Sequence, residues 1–545
     1  MQLFLAFVLA LSVTAALIPL LERWAPAIGL TDVPGPRKVH TAAVPRVGGL
    51  AMAAGVLAAT ALTVQFTPPV RGLLLGLAVL LAFGLWDDRA TLGYRTKFAG
   101  QIIAVALCMA VGRVHVGMVV VGGIEVPAAV SMLLTFVFLL GITNAVNLAD
   151  GLDGLAGGMV LLCLCAIALF AAINGQRSIT ILTLIEAGAV LGFLRFNTHP
   201  ARIFMGDSGS QMLGLSVGAL ALLATQGESS ALSAALPLLL LGLPILDTLT
   251  VMLTRLRARR SPFSADRNHL HHRLLALGFT HREAVILLYL AQVGLVLLAY
   301  FMRFESDWEV VAAFGVFAAS VLGLLRWAAR SGWRLGQMEH ATPVRRCISA
   351  IAPAAWLTGA TAALMALGVI VYATTVLAAR AHVGRDLGIM CLGMLALLLL
   401  LGSWRPERAL QWFERAAIYV SVVLLVYLDQ TIPYKPQLLT TLWWTCIGIT
   451  GIAALVRYWT SPAHRFELTT LDLIVVFIAL VLPNLPGSVQ SQLPAVLPGG
   501  IAKAVILLYV VEMLFTIHLK PMIPRLILVL TLTTIAARAF LGIGT

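Results

Sequence analysis

Charge is scarce in this sequence. Only 11% of its 545 residues are Asp, Glu, Lys or Arg, whereas 60% are hydrophobic and the mean hydropathy is +0.96. A soluble domain carries about a quarter charged residues, so a water-soluble fold of this length is excluded. Cysteine is sparse as well. Cys108, Cys163, Cys165, Cys347, Cys391 and Cys446 fall in or beside apolar runs, with neither metal-ligand spacing nor a disulfide framework. Buried free thiols are expected. There is also no visible internal repeat, although a transporter of this size often has one.

Long apolar runs are abundant. A spanning helix needs about 20 apolar residues, and candidate runs lie near 1–21, 48–66, 71–86, 98–112, 127–145, 155–174, 178–194, 208–224, 231–254, 283–302 and 309–329. After a basic stretch they resume near 349–379, 387–403, 416–433, 439–456, 467–485, 500–519 and 526–543. The first run is too long and too uncharged at its start for a typical cleaved signal and is read as a span. The expectation is an all-α polytopic membrane protein, with about 11 spans in a domain over 1–330 and about 7 in a second over 331–545. Segment 113–126, β-rich with Gly122-Gly123, predicts a small external hairpin.

The net charge of +13 is mostly a matter of topology. With the N-terminus outside, the loops on one side of the membrane hold about 28 of the 37 Lys and Arg. The positive-inside rule makes that side the cytoplasm, and nucleic-acid binding is not needed to explain the excess.

Five segments on that side carry chemistry. The most informative is Asn144-Ala-Val-Asn147-Leu-Ala-Asp150-Gly-Leu-Asp153-Gly154, at the end of an apolar run. A charge inside a bilayer costs roughly 2.5–3.5 kcal/mol on insertion scales, and a helix cap needs one such residue rather than four. Helical steps of three turn about 300°, which predicts Asn147 and Asp150 on nearby faces. Segment 29–49 has too many prolines for a helix and presents Arg37, Lys38, His40 and Arg46 beside Gly48-Gly49, suited to a phosphorylated lipid. Asp87-Asp88, with Lys97 beyond, is a repelling carboxylate pair that invites a cation or a proton. Phe204-Met-Gly206-Asp207-Ser208-Gly209 opens a span, placing Asp207 at a helix N-terminus that favours anions; capping by Asp207 or Ser208 is the plain alternative. In the fifth segment, Asp266-Arg267-Asn268-His269-Leu270-His271-His272-Arg273 lacks a zinc partner set and better suits grasping a pyrophosphate. Segments rich in oxygen and basic groups but free of Cys fit metal-assisted phosphoryl transfer at the membrane face.

Together and in this order, these motifs over about 1–330 resemble the polyprenyl-phosphate N-acetylhexosamine-1-phosphate transferase superfamily (glycosyltransferase family 4). The bacterial undecaprenyl-phosphate N-acetylglucosamine-1-phosphate transferases look nearest, since the interrupted His269-Leu-His271-His272 differs from the muramoyl-pentapeptide branch. The resemblance implies undecaprenyl phosphate and a UDP-amino sugar as substrates, a multi-pass plasma-membrane location with a cytoplasmic site, and UMP as product. It implies Mg²⁺, with Mn²⁺ as an alternative, on Asn147 and Asp207; Asp87 as base or orienting carboxylate supported by Asp88; and Lys97 at the diphosphate. Asp150 and Asp153 would shape the nucleotide pocket with Phe204 on uracil, and Arg267, His269, His271 and His272 would hold the sugar-nucleotide phosphates. A covalent phospho-Asp step, another UDP-sugar (MurNAc-pentapeptide, GalNAc, QuiNAc or FucNAc) and a homodimer all stay open. The competing classes are a transporter or lipid flippase, disfavoured in 1–330 because the polar segments lie on one side, and a polyprenyl-diphosphate phosphatase. Asp429, Asp472, Lys503 and Glu512 in 331–545 form no sequence motif, and that half has no assigned role.

Overall fold

A computed structural model describes residues 2–33, 43–115, 120–121, 124–125, 127–225, 232–259, 268–331, 355–379, 383–403, 436–460 and 522–541, with short stretches between 417 and 514. Arg37, Lys38, His40, Arg267, Cys347, Asp472, Glu512 and the run 467–485 lie outside these residues. The chain is an all-α polytopic membrane protein. Eleven helices among the described residues are long and apolar enough to cross a membrane. Two compact units emerge, one built on Met1–Gln337 and one on Met338–Leu468 with Val475–Thr545.

In the first unit the order is α1 (Gln2–Ile28), β1 (Thr31–Asp32), β2 (Val44–Pro45), α2 (Gly48–Thr63), α3 (Pro68–Arg89) and α4 (Tyr94–Gly112). A two-stranded hairpin, β3 (Val120–Val121) and β4 (Ile124–Glu125), follows where the Gly-Gly turn predicts it. Then come α5 (Ala128–Ala149), α6 (Leu155–Ile173), α7 (Arg177–Asn197), α8 (Gly206–Thr225), α9 (Leu236–Leu240), α10 (Gly242–Arg257), α11 (Leu270–Ala276), α12 (His281–Phe301) and α13 (Asp307–Arg330).

Small residues set the packing, as expected where lipid removes the hydrophobic drive between helices. Gly188 and Gly192, four apart on α7, lie against the Phe7 and Leu11 carbonyls of α1, so a Cβ at either would overlap backbone. α8 sits at the centre, buried along nearly its whole length.

Two sequence expectations change. The run 231–254 is not one span but breaks at Leu241 into α9 and α10. Pro244 has no N–H to give the Leu240 carbonyl four residues back. That carbonyl instead accepts from Gln292 Nε2 at 2.8 Å and from Cys163 Sγ at 3.1 Å. Second, α5 stops at Ala149, so the three-residue helical stepping does not reach Asp150 or Asp153. Both belong to a turn that ends at Gly154, whose φ of 78° is open to glycine.

In the second unit the described helices are Ala355–Ala378, Arg385–Ser403, Gln437–Thr460 and Met522–Leu541. Asp429 and Lys503, unrelated in sequence, form a buried ion pair at 2.5 Å, with Tyr372 Oη donating to Asp429 at 3.1 Å.

Candidate active site

The site is assembled on the first turn of α8. Gly206 has φ 71°, and any side chain there would run into the Asp88 carboxylate. Asp88, at the end of α3, is buried and both its oxygens are engaged. It accepts from Asp207 N at 2.9 Å, Ser208 N at 3.2 Å and Ser208 Oγ at 2.8 Å. The anion that caps α8 is therefore a carboxylate from another helix, not Asp207 or Ser208. Asp88 works by holding Asp207 in place.

Asp207 is left facing outward. Its Oδ2 lies 2.6 Å from Lys97 Nζ, near the start of α4, and that ammonium is also 2.7 Å from Asp87 Oδ2. Asp87 Oδ1 accepts the Leu92 N–H at 2.6 Å. From α5, Asn147 Nδ2 donates to Ser210 Oγ at 2.7 Å and reaches Asp207 Oδ1 at 3.3 Å. The adjacent Asn144 is bound into a carboxamide chain instead, donating to Gln101 Oε1 at 2.8 Å while Gln101 Nε2 donates to Gln211 Oε1 at 3.1 Å. Asp87, Lys97, Asn147 and Asp207 thus form one partly open cluster.

Glycines bring the backbone close. Gly48 N and Gly49 N donate to the Phe204 and Met205 carbonyls at 3.0 Å each, and a Cβ on Gly49 would overlap Gly209. This ties the 29–49 segment to the half-buried Phe204. Arg46 of that segment pairs with Asp32 at 2.6 Å and stands 3.9 Å from Asp88.

Beside the cluster, burial and the charges of Asp207, Asp153 and Asp88 push the Asp150 carboxyl up to about 7. Asp153 turns elsewhere, with Oδ2 2.7 Å from His199 Nδ1 and accepting the Ala201 N–H at 3.1 Å. Asn197 fastens the two loops together by accepting from Gly154 N and donating to the Ile203 carbonyl.

Of the histidines, His271 is buried against Gly151, and its Nε2 has no partner among the described residues. Burial and the neighbouring His272 hold it down to about 4, which favours the neutral ring at neutral pH. His269 Nδ1 meets Asp247 Oδ2 at 2.9 Å, and the Leu270 N–H donates to Asp247 Oδ1 at 2.7 Å. Asp247, Gln101, His199 and His281 were not singled out by any sequence motif. Asp247 did carry a signal, since it is an ionisable residue inside an apolar run.

A polar cluster among apolar helices long enough to cross a membrane makes this an integral membrane protein with a candidate active site. Residues 70–225 match the family described as Glycosyl transferase family 4. The chain is 35% identical over 294 residues to a probable undecaprenyl-phosphate N-acetylglucosaminyl 1-phosphate transferase of Bacillus subtilis, covering 52% of this chain and 80% of the relative. It is 39% identical to the decaprenyl-phosphate N-acetylglucosaminephosphotransferase of Mycolicibacterium smegmatis (48% and 72% covered). It is also 31% identical to the undecaprenyl-phosphate alpha-N-acetylglucosaminyl 1-phosphate transferase of Escherichia coli K12 (53% and 81%). The chain belongs to glycosyl transferase family 4, among the polyprenyl-phosphate hexosamine-1-phosphate transferases.

Proposed function

We propose that this protein transfers N-acetylglucosamine 1-phosphate from UDP-N-acetylglucosamine to undecaprenyl phosphate, releasing UMP. The observation that carries this reading is the Lys97 ammonium held between Asp87 and Asp207, with Asn147 against Asp207. The names of the relatives support the donor and the polyprenyl acceptor. Phosphoryl transfer asks a protein mainly for positioning and charge neutralisation, and a cluster of opposed charges at a bundle end supplies both.

The residues present fit Mg²⁺. The donors are carboxylate and carboxamide oxygens with no sulfur, and the position of Lys97 Nζ marks where Asp87 and Asp207 gather positive charge. Asp207 and Asn147 would hold the ion, with Mn²⁺ as an alternative, and it would supply neutralisation of the diphosphate. Asp87 orients the lipid phosphate or takes its proton. Lys97, the one ammonium of the cluster, meets the diphosphate. An oxygen of the lipid phosphate forms the new bond to the sugar-linked phosphorus as the bond to UMP breaks. Asp150, Asp153 and Phe204 line the nucleotide end. His269, His271 and His272 face the sugar-nucleotide phosphates, with Asp247 fixing the ring of His269.

The charge bias of the loops points this face to the cytoplasm of a bacterial plasma membrane. The reaction would open a cell-envelope glycan pathway of the O-antigen or teichoic-acid kind. The test is UMP release by purified protein against a panel of UDP-N-acetyl sugars. Release should require undecaprenyl phosphate, Mg²⁺ and UDP-N-acetylglucosamine together. Sugar-independent phosphate release, or UMP release without a lipid acceptor, would sink the reading.

A further inference from the structure

Asp153, His199 and His281 come from three segments far apart in sequence, yet one ligand atom from each falls within 4.8 Å of the other two. His199 Nδ1 and Asp153 Oδ2 are 2.7 Å apart, and His281 Nε2 lies 3.3 Å from the Asp153 carbonyl. The two imidazoles stack with centroids 4.1 Å apart and planes at 24°. None of the three is fully buried, so an ion has a path in from solvent.

Each ligand stands on a stiff support. Asp153 is followed by Gly154, whose carbonyl accepts from Tyr289 Oη at 2.6 Å and whose N–H is held by Asn197. His199 sits two residues beyond that same Asn197, and the Ala201 N–H donates to the Asp153 carboxylate. His281 is the first residue of α12, whose start is set by a capping box in which Thr280 and Glu283 each accept the other's backbone N–H. Rigid support of this kind is what a metal site needs if binding is not to spend its free energy on ordering the ligands.

We propose that Asp153, His199 and His281 form a second cation site, for a borderline transition ion such as Zn²⁺. Two imidazoles and one carboxylate suit zinc, cobalt or nickel, whereas Mg²⁺ takes oxygen ligands. This distinguishes the site from the Asp207 and Asn147 cluster and puts the ion at the nucleotide end, which Asp153 also lines. Three protein ligands leave a fourth position for water or a ligand oxygen. The bound ion would clamp the turn after α5, the segment before α8 and the N-terminus of α12.

The experiment uses the full-length protein in detergent, stripped with chelator and then titrated with Zn²⁺, bound metal being counted by mass spectrometry. Co²⁺ is titrated in parallel, because its visible absorption reports low-coordinate nitrogen and oxygen ligation without any assay of transfer. Wild type should bind one equivalent, with a rise in melting temperature. Changing residues behind metal ligands costs 10–100-fold in affinity, so His199→Ala and His281→Ala should each weaken binding by at least about tenfold. His199→Asn and His281→Gln keep hydrogen-bonding groups in case the alanine variants fail to fold, and should behave alike. His272→Ala should leave the stoichiometry unchanged. The site is refuted if wild type takes up no zinc, if either His199 or His281 variant binds as tightly as wild type, or if the metal is lost only with His272→Ala.

Discussion

Each half of the molecule contains a lysine drawn to aspartate, and the two pairs are built for opposite ends. Lys97 is shared by two carboxylates, Asp87 and Asp207, and its side chain is 29% exposed. Lys503 pairs with Asp429, both almost wholly buried, with Tyr372 donating to the same carboxylate and Trp443 and Trp444 flanking the ammonium. The first has an excess of negative charge and access to solvent, so it can take up a further cation and, through that cation, a phosphate. Among the described residues the second is balanced in charge and closed. A buried pair is weak evidence of stabilisation, but removing one partner leaves an uncompensated charge.

Breaking the open cluster should have the largest effect. Asp207→Ala should lower UMP release by about 10²–10³-fold, the scale on which single preorganised electrostatic groups act, with melting temperature little changed. Asn147→Ala should fall in the same direction by less. If Asp207→Ala kept full turnover, the roles given to the two clusters would have to be redrawn.

The closed pair should respond through folding. Lys503→Ala or Asp429→Ala should destabilise the protein by about 3–5 kcal/mol, while a combined Asp429→Leu and Lys503→Met recovers most of the loss. Thermal unfolding in detergent measures both. Single variants that melt like wild type would show that this pair is hydrated and open after all.

A smaller effect tests how the open cluster is delivered. Gly206→Ala places a methyl group against the Asp88 carboxylate at a left-handed φ. It should cost at least about 1–2 kcal/mol and lower turnover with it, as read by melting temperature and UMP release.

The smallest expected effect is a pH dependence at the edge of the open cluster. Asp150 is raised from its ordinary value of 3.8 to about 7, so the native state holds this proton more tightly than the unfolded chain. Stability should therefore fall as pH rises from about 4 to about 7. In metal-free protein, Asp150→Asn should flatten that part of the melting-temperature profile.

Much of this was legible beforehand. The apolar runs of the first half map onto helices, because a segment that must satisfy its backbone in lipid has few options other than a helix. The Gly122-Gly123 hairpin and the start of α8 at Gly206-Asp207 were readable from local turn and cap chemistry. The break at Leu241 was not, because the Leu240 carbonyl it orphans is satisfied by Gln292, 52 residues away. The division of labour between Asp87 and Asp88 was equally hidden. Adjacent in sequence, they face different partners, and only the packing of α3 against α8 assigns one to Lys97 and the other to the α8 amides.

By itself, the sequence determined the solvent this chain folds in, the positions of most helices and the residue types that meet phosphate. Hydropathy and turn chemistry are local properties, and adjacent residues suffice to express them. Tertiary structure alone decided which polar groups are spent and which are available. It committed Asp88 and Asn144 to holding helices, left Asp207 and Lys97 open, and joined Asp429 to Lys503 and Asp153 to two distant histidines. The reason is physical: hydrogen bonds and ion pairs act over about 3 Å, and no spacing along a chain says which groups folding will bring that close.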